Sequence, residues 1–286
     1  MNKQKTAILV DSCCDVPKEF LEKYNMYLLP LKVIYKNEEY LDGITITPEE
    51  VYKRLEEEIP TTSLPEGRDI IRILDKIKKD GYENVIITTI SSGLSGTNGF
   101  LHIIANDYEG LNFKIVDTKN IAMASGFHAI QAGMFLNEGL SFEEIGVRLE
   151  TDLSKSKIFF VLKTLEYLQK GGRIGLVASI LGSAFNFKPI ISCDDEGVYY
   201  TVSKVRGRRK SIDKMIELAA AECEKYKKAI ISISHGDALV ELNEVKTAFL
   251  EKISCEIVEY IEGQISPCLG VHTGPGTLAI GVYGVE

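Results

Sequence analysis

Two hydroxyl-rich segments, one histidine and two arginines carry the residue types in this chain that could do chemistry. The densest segment is Ser91-Ser92-Gly93-Leu94-Ser95-Gly96-Thr97, where hydroxyls are interleaved with glycines. Hydroxyls donate and accept hydrogen bonds and glycines let a ligand reach the backbone, so the segment suits an anion, either phosphate or carboxylate. The other segment is Thr61-Thr62-Ser63-Leu64-Pro65-Glu66-Gly67. His272 sits in Gly270-Val271-His272-Thr273-Gly274-Pro275-Gly276-Thr277, among glycines and away from any apolar face. Arg173 follows two glycines, and Arg206 opens Arg206-Gly207-Arg208-Arg209-Lys210, the only dense basic run. A guanidinium can grip a phosphate through two parallel hydrogen bonds, although a solvated basic face has the same composition.

The glycines of the central segment fit no stock phosphate motif. Gly93, Gly96 and Gly99 are spaced G-x-x-G-x-x-G, which is not the dinucleotide pattern, and no glycine-lysine-serine/threonine follows. The esterase pattern G-x-S-x-G fails as well, because Thr97 stands where its second glycine belongs. Two readings remain for Ser95 and Thr97: a ligand contact, or a cap on the first turn of a helix. Thr62 reads as a turn former on its own and gains interest only if its loop lies beside the central one. His102 and His128 fall on expected helices and read as structural; His235 ends a strand. Six cysteines without a C-x-x-C, and four scattered histidines, give no metal signature, so free, packed cysteines and no metal are expected.

The elements that position these residues follow from periodicity. Val85-Ile86-Ile87-Thr88-Thr89-Ile90 is a β-branched run that reads as a buried parallel strand, with a helix beginning near Phe100. A strand, a loop and then a helix is where open α/β sheets hold ligands, with the helix offering unpaired N–H groups. Ala7–Val10 and Phe113–Val116 predict further strands, and Met26 to Tyr35 another, bent or at an edge because of Pro30. Thr47-Pro48-Glu49-Glu50 and Ser141-Phe142-Glu143-Glu144 are capping boxes that start helices. Helices are also expected over Asp69–Lys79 and Met123–Leu136. This alternation predicts an N-terminal parallel-sheet, Rossmann-like α/β domain over residues 1–154.

After an approximate boundary near Ser154 the rhythm changes. Ile158–Leu162 is apolar, and Leu165–Gln169 is a short helix. Phe187–Ser192 and Val198–Val205 flank the turn Asp194-Asp195-Glu196-Gly197 as a hairpin. Helices over Ser211–Lys225 and Leu239–Leu250 alternate with strands over Ala229–Ser234, Glu256–Tyr260 and Leu278–Tyr283. Residues 155–286 thus predict a smaller α+β domain. Composition fits a globular protein: 286 residues, 45% hydrophobic and 26% charged, with a formal net charge of −8. That charge, with a pI near 5.3, argues against nucleic acid. No apolar run reaches the ~18 residues of a membrane span, and none of the secretory kind follows Met1-Asn2-Lys3-Gln4-Lys5, so a cytoplasmic protein without a transmembrane segment is expected.

Taken in order, the motifs resemble the DegV family. They are Asp11-Ser12, Thr62-Ser63 with Pro65, Ser91 to Thr97, Leu165-Glu166-Tyr167-Leu168, Lys170-Gly171-Gly172-Arg173-Ile174, Lys188-Pro189, Lys204-Val205-Arg206-Gly207 and His272-Thr273-Gly274-Pro275-Gly276-Thr277. The resemblance spans essentially the whole chain. It implies two α/β domains with one fatty acid buried between them. Its carboxylate would be held by Thr62 and Ser95, with Ser92 and His272 nearby. It further implies a non-catalytic, cofactor-free subunit of bacterial fatty acid kinase, which presents the carboxylate to a separate ATP-using kinase, leaving room for transient membrane contact. Arg173 and Arg206 would meet that kinase or its phosphate. Where the family often has glutamine and serine, this chain has Leu64 and Glu66; Asn98 replaces a tyrosine, and Cys13-Cys14 a threonine-alanine pair. Two other readings stay open. One is a serine hydrolase or acyltransferase using Ser95 and His272 with Asp237 or Asp117, which requires those groups in hydrogen-bond sequence. The other is a binder of a small phosphorylated metabolite.

Overall fold

The structure, a computed structural model, describes residues 2–175, 177 and 187–285. In its first part the β-branched runs become β1 (Thr6–Asp11), β2 (Tyr27–Leu29), β3 (Lys32–Ile34), β4 (Glu39–Leu41), β5 (Thr61–Ser63), β6 (Asn84–Thr89) and β7 (Asn112–Asp117). Between them run α1 (Lys18–Lys23), α2 (Pro48–Arg54), α3 (Gly67–Lys79) and α4 (Thr97–Asp107), followed by α5 (Ala122–Glu138) and α6 (Phe142–Thr151). The order β2-β1-β6-β7 forms an all-parallel sheet. Both expected capping boxes are present, at Thr47–Glu50 and Ser141–Glu144. Along α3, Ile70, Leu74 and Ile77 form the buried stripe that an amphipathic helix turns to its sheet.

The stretch from Met26 to Tyr35 is divided at Pro30, which cannot donate to a ladder. Its first half, β2, joins the parallel sheet, and its second half, β3, joins a separate antiparallel sheet of order β4-β3-β5. The segment Thr61–Ser63, expected as loop, is therefore a strand. Its pairing with β3, with Val33 opposite Thr62, supplies what local sequence could not.

The second part contains β8 (Ser156–Val161), β9 (Phe187–Cys193), β10 (Tyr199–Arg206), β11 (Lys228–Gly236), β12 (Glu256–Gln264) and β13 (Thr277–Gly284). Its helices are α7 (Glu166–Lys170), α8 (Arg208–Cys223), α9 (Leu239–Leu250) and α10 (Pro267–Thr273). The strands form one mixed sheet, β10-β9-β8-β13-β11-β12, in which only β11 and β12 run parallel. The expected hairpin is β9 with β10. Arg208 to Lys210 form the first turn of α8, and Gly270–Thr273 of the glycine-rich segment holding His272 belong to α10; the sequence pattern predicts neither as helix.

Helix α5 lies between the two larger sheets, touching β1 and β6 on one side and β8 and β13 on the other. A helix enclosed on all sides must be apolar all round and slender. Accordingly it is rich in alanine, and a Cβ at Gly126 would lie 2.4 Å from the Cys14 carbonyl oxygen. Strand ends of both sheets meet beside the N-terminus of this helix, and the candidate site lies there.

Candidate functional site

Thr62 is carried on β5 and His272 on α10, from opposite ends of the chain. Thr62 Oγ1 and His272 Nε2 share a hydrogen bond of 2.7 Å. Burial, followed by the positive charge of Arg173, lowers the His272 imidazole to about 4, so it is neutral near pH 7. Its Nδ1 is enclosed and has no hydrogen-bond partner among the described residues. The ring fits because position 171 is glycine: a Cβ there would stand 2.1 Å from Nδ1.

Ser95 takes the capping role in the central segment and also stands at a cavity wall. Its Oγ accepts from the Thr97 N–H at 3.3 Å and bonds Thr97 Oγ1 at 2.9 Å, which caps the start of α4. It also lines a cavity of about 60 Å³ whose wall includes Thr62, His272, Arg173, Leu64, Leu94, Cys13, Tyr199 and Cys268. A second, smaller cavity of about 20 Å³ is walled by Ile158, Phe160, Ile265 and Ala279. Ile121, Tyr199, Leu269 and Thr273 border both, so the two are neighbours along one path. Polar groups gather at one end of this path, and the other end is almost wholly apolar.

Other expected site residues are placed differently. Ser92 is exposed; its N–H donates to Asp117 and its hydroxyl accepts from Lys119, so it faces away from the cavity. Arg173 is half-buried at the cavity wall and donates to the carbonyl oxygens of Gly171 and Leu94. Arg206 is exposed at the end of β10, its guanidinium 5.3 Å from the Phe187 ring centre. Of the two departures beside Thr62, Leu64 lines the cavity, whereas Glu66 is paired with Lys32 and Arg68. The basic run is partly consumed: Arg208 binds Glu241 through Nε and the Gly276 carbonyl through Nη2.

Among the described residues a serine–histidine–acid triad is not assembled. His272 Nε2 is bonded to Thr62, Nδ1 meets no carboxylate, and Asp117 is engaged by Ser92 and Lys119. One grouping escaped sequence reasoning. Cys13, Asp42 and Cys268 come together, all buried, although 29 and 226 positions separate Asp42 from the two cysteines. Their spacing gives no local signal.

With this geometry in place the chain can be compared with known proteins. The profile described as "Uncharacterised protein, DegV family" matches residues 5–285. The chain belongs to the DegV family. A DegV domain-containing protein of Clostridium acetobutylicum is 38% identical over 282 residues, covering 98% of this chain and 99% of that one. Among solved structures, a DegV family protein of Thermus thermophilus described as binding fatty acid superimposes with a TM-score of 0.88 at 27% identity, over 100% of both chains. A stearic acid-binding protein of Eubacterium ventriosum gives a TM-score of 0.83 at 28% identity, over 98% of each chain. The two-domain DegV fold expected from the motifs is thus the fold of this chain. Among the described residues no helix is long and apolar enough to cross a membrane.

Proposed function

We propose that this chain binds one long-chain fatty acid, its carboxylate at Thr62, Ser95 and His272 and its tail along Ile121, Tyr199 and Leu269 towards Ala279. The observation that carries the reading is the Thr62–His272 pair, set where a polar end opens onto the apolar path. Structural relatives described as fatty-acid-binding proteins support it.

The chemistry of the pair is specific. If Nε2 carries the imidazole proton, it donates to Thr62 Oγ1 and leaves the threonine hydroxyl proton free for a carboxylate. Ser95 adds a second hydroxyl. Hydrogen bonds to a charged acceptor contribute about 1.5–3 kcal/mol each. The tail contributes more: burial of a chain of about sixteen methylenes at ~0.8 kcal/mol each is worth on the order of 10 kcal/mol before ordering costs. Ligand pockets usually exceed ~300 Å³, so the walls of this narrow path must part by side-chain rotation, and Tyr199 and Leu269 border both of its halves.

We further propose that the chain presents the carboxylate to a separate ATP-using kinase. On this reading it supplies no catalytic residue, Arg173 at the cavity wall meets the incoming phosphate, and Arg206 on the exposed end of β10 serves docking. Mass spectrometry of the denatured, purified protein should release about one long-chain fatty acid per chain. No released lipid, combined with no thermal stabilisation by added stearate, would refute the binding reading. The kinase step is tested separately, by ATP-dependent conversion of the bound fatty acid to an acyl phosphate on adding the candidate kinase.

A further inference from the structure

The Cys13–Asp42–Cys268 grouping shares no residue with the proposed carboxylate contacts, although its two cysteines border the same cavity, and it has its own chemistry. Both thiol sulfurs and a carboxylate oxygen lie within 4.8 Å of one another. Cys13 stands in the 3₁₀ turn after β1, Asp42 just beyond β4, and Cys268 in the first turn of α10, so three separate segments converge. Asp42 is fully buried, and its partners are neutral donors: the Ser12 hydroxyl at 2.5 Å, the Cys268 N–H at 2.8 Å and the Cys13 thiol at 3.9 Å. Buried carboxylates are paired with cations, coordinate metals or give up their charge. No ion pair to Asp42 occurs among the described residues.

We propose that Cys13, Asp42 and Cys268 form a binding site for a borderline-soft divalent cation, best matched by Zn²⁺. Two thiolates and one carboxylate are a zinc-type donor set, with a fourth position left for water. In a tetrahedral site with Zn–S near 2.3 Å, ligand atoms stand about 3.8 Å apart. The three donors need to close by no more than ~1 Å from their present limit. The outer layer is in place, since the Ser12 hydroxyl and the Cys268 N–H fix the carboxylate. Two routes lead in. Cys13 and Cys268 border the cavity of about 60 Å³, and Asp42 borders a separate cleft of about 390 Å³. Binding releases one proton from each thiol to solvent, and the metal ties α10 to the end of β1. This inference stands independently of the fatty-acid reading.

The test is Co²⁺ titration of the full-length, reduced, chelator-treated protein. One Co²⁺ per chain is expected, with thiolate-to-cobalt charge-transfer absorption and the visible bands of a four-coordinate site, displaced by Zn²⁺. Cys13→Ser and Cys268→Ser should each weaken binding at least tenfold. A second thiol pair, Cys223 beside Cys255, is the internal control: Cys255→Ser should leave the spectrum unchanged. Absence of the charge-transfer band, its survival in both Cys13→Ser and Cys268→Ser, or a Cys13–Cys268 disulfide in freshly isolated protein overturns the proposal. Should a serine variant fail to fold, the wild-type protein decides the matter. Zn²⁺ must then slow alkylation of Cys13 and Cys268 but not of Cys255, and equal rates with and without Zn²⁺ overturn it.

Discussion

Gly171→Ala is the sharpest probe of the proposed carboxylate end, because its main clash is with one side chain, the Tyr167 carbonyl oxygen at 3.1 Å being the lesser contact. Gly171 has φ −77° and ψ −5°, helical values that alanine adopts freely, so no backbone strain enters. The new Cβ would lie 2.1 Å from His272 Nδ1 and 2.8 Å from Cε1. Ordinary contact begins near 3.4 Å, so the ring must give way by more than 1 Å. It cannot slide: the opposite nitrogen is already 2.7 Å from Thr62 Oγ1. Rotation out of the clamp is the remaining response, and it breaks the Thr62 bond. Losing that neutral hydrogen bond costs about 0.5–1.5 kcal/mol, partly offset by the ~0.4–1 kcal/mol that alanine gains in the unfolded chain. Overall stability should therefore barely change. Fatty-acid affinity loses one oriented donor to a charged acceptor, about 1.5–3 kcal/mol or roughly 10- to 150-fold. The assay is displacement of a fluorescent fatty acid by stearate, with the His272 ring followed by NMR. An unmoved ring would refute the clamp. A moved ring with unchanged affinity would refute the role of His272 at the carboxylate.

Three further outcomes are expected. Thr62→Val keeps the β-branched shape of a strand residue and removes the hydroxyl, so stearate affinity should fall about 10- to 100-fold with the melting temperature nearly retained; unchanged affinity would place the carboxylate elsewhere. Ala279→Phe fills the smaller cavity, so binding of long acyl chains should drop by more than tenfold while short chains still bind, measured by the same displacement; equal losses at all lengths would argue against a tail path there. His128 is fully buried on α5, with neither ring nitrogen bonded among the described residues, and burial lowers it from 6.5 to about 4. Between those values the unfolded chain binds a proton that the folded chain refuses, so this residue removes stability as pH falls. At about 1.4 kcal/mol per pH unit the interval amounts to roughly 3 kcal/mol. The stability gap between wild type and His128→Gln, from urea titrations at pH 7 and 4.5, should shift in favour of the variant as pH falls; a constant gap would show that His128 titrates normally.

Local signals wrote much of this fold. The β-branched run before Ser91 and the capping boxes at Thr47 and Ser141 depend on neighbours a few residues away, and they appear where expected. What local pattern could not supply depends on partners far along the chain. β5 is three residues long and exists through its ladder with β3. α10 contains a glycine in its interior, which disfavours helix, yet Asp42 accepts the Cys268 N–H and Asp15 the Ser266 N–H at its start. One cue was readable: Ser266-Pro267 repeats the arrangement of Thr47-Pro48, a hydroxyl residue before proline at the first helical position. The meeting of Thr62 with His272 spans 210 positions and has no local trace. Motif order alone pointed to it.

The chemistry of the donor set bears on the kinase reading. A carboxylate held by a lysine or arginine is strongly stabilised and correspondingly poor as a nucleophile. In the proposed site the carboxylate meets two hydroxyls, those of Thr62 and Ser95, and an imidazole kept neutral by burial and by Arg173. Such groups would orient a carboxylate without neutralising it. Arg173 is the cation on the cavity wall, and its side chain is already turned to the carbonyl oxygens of Gly171 and Leu94. A guanidinium so placed has less call on a carboxylate than on the denser charge of a phosphoryl group. If the chain hands a carboxylate to a kinase, Arg173→Ala should therefore leave stearate affinity within about threefold, less than ~0.7 kcal/mol, and sharply slow acyl-phosphate formation. Loss of stearate binding in that variant would make Arg173 the carboxylate's own counter-ion, and the division of labour argued here would fall.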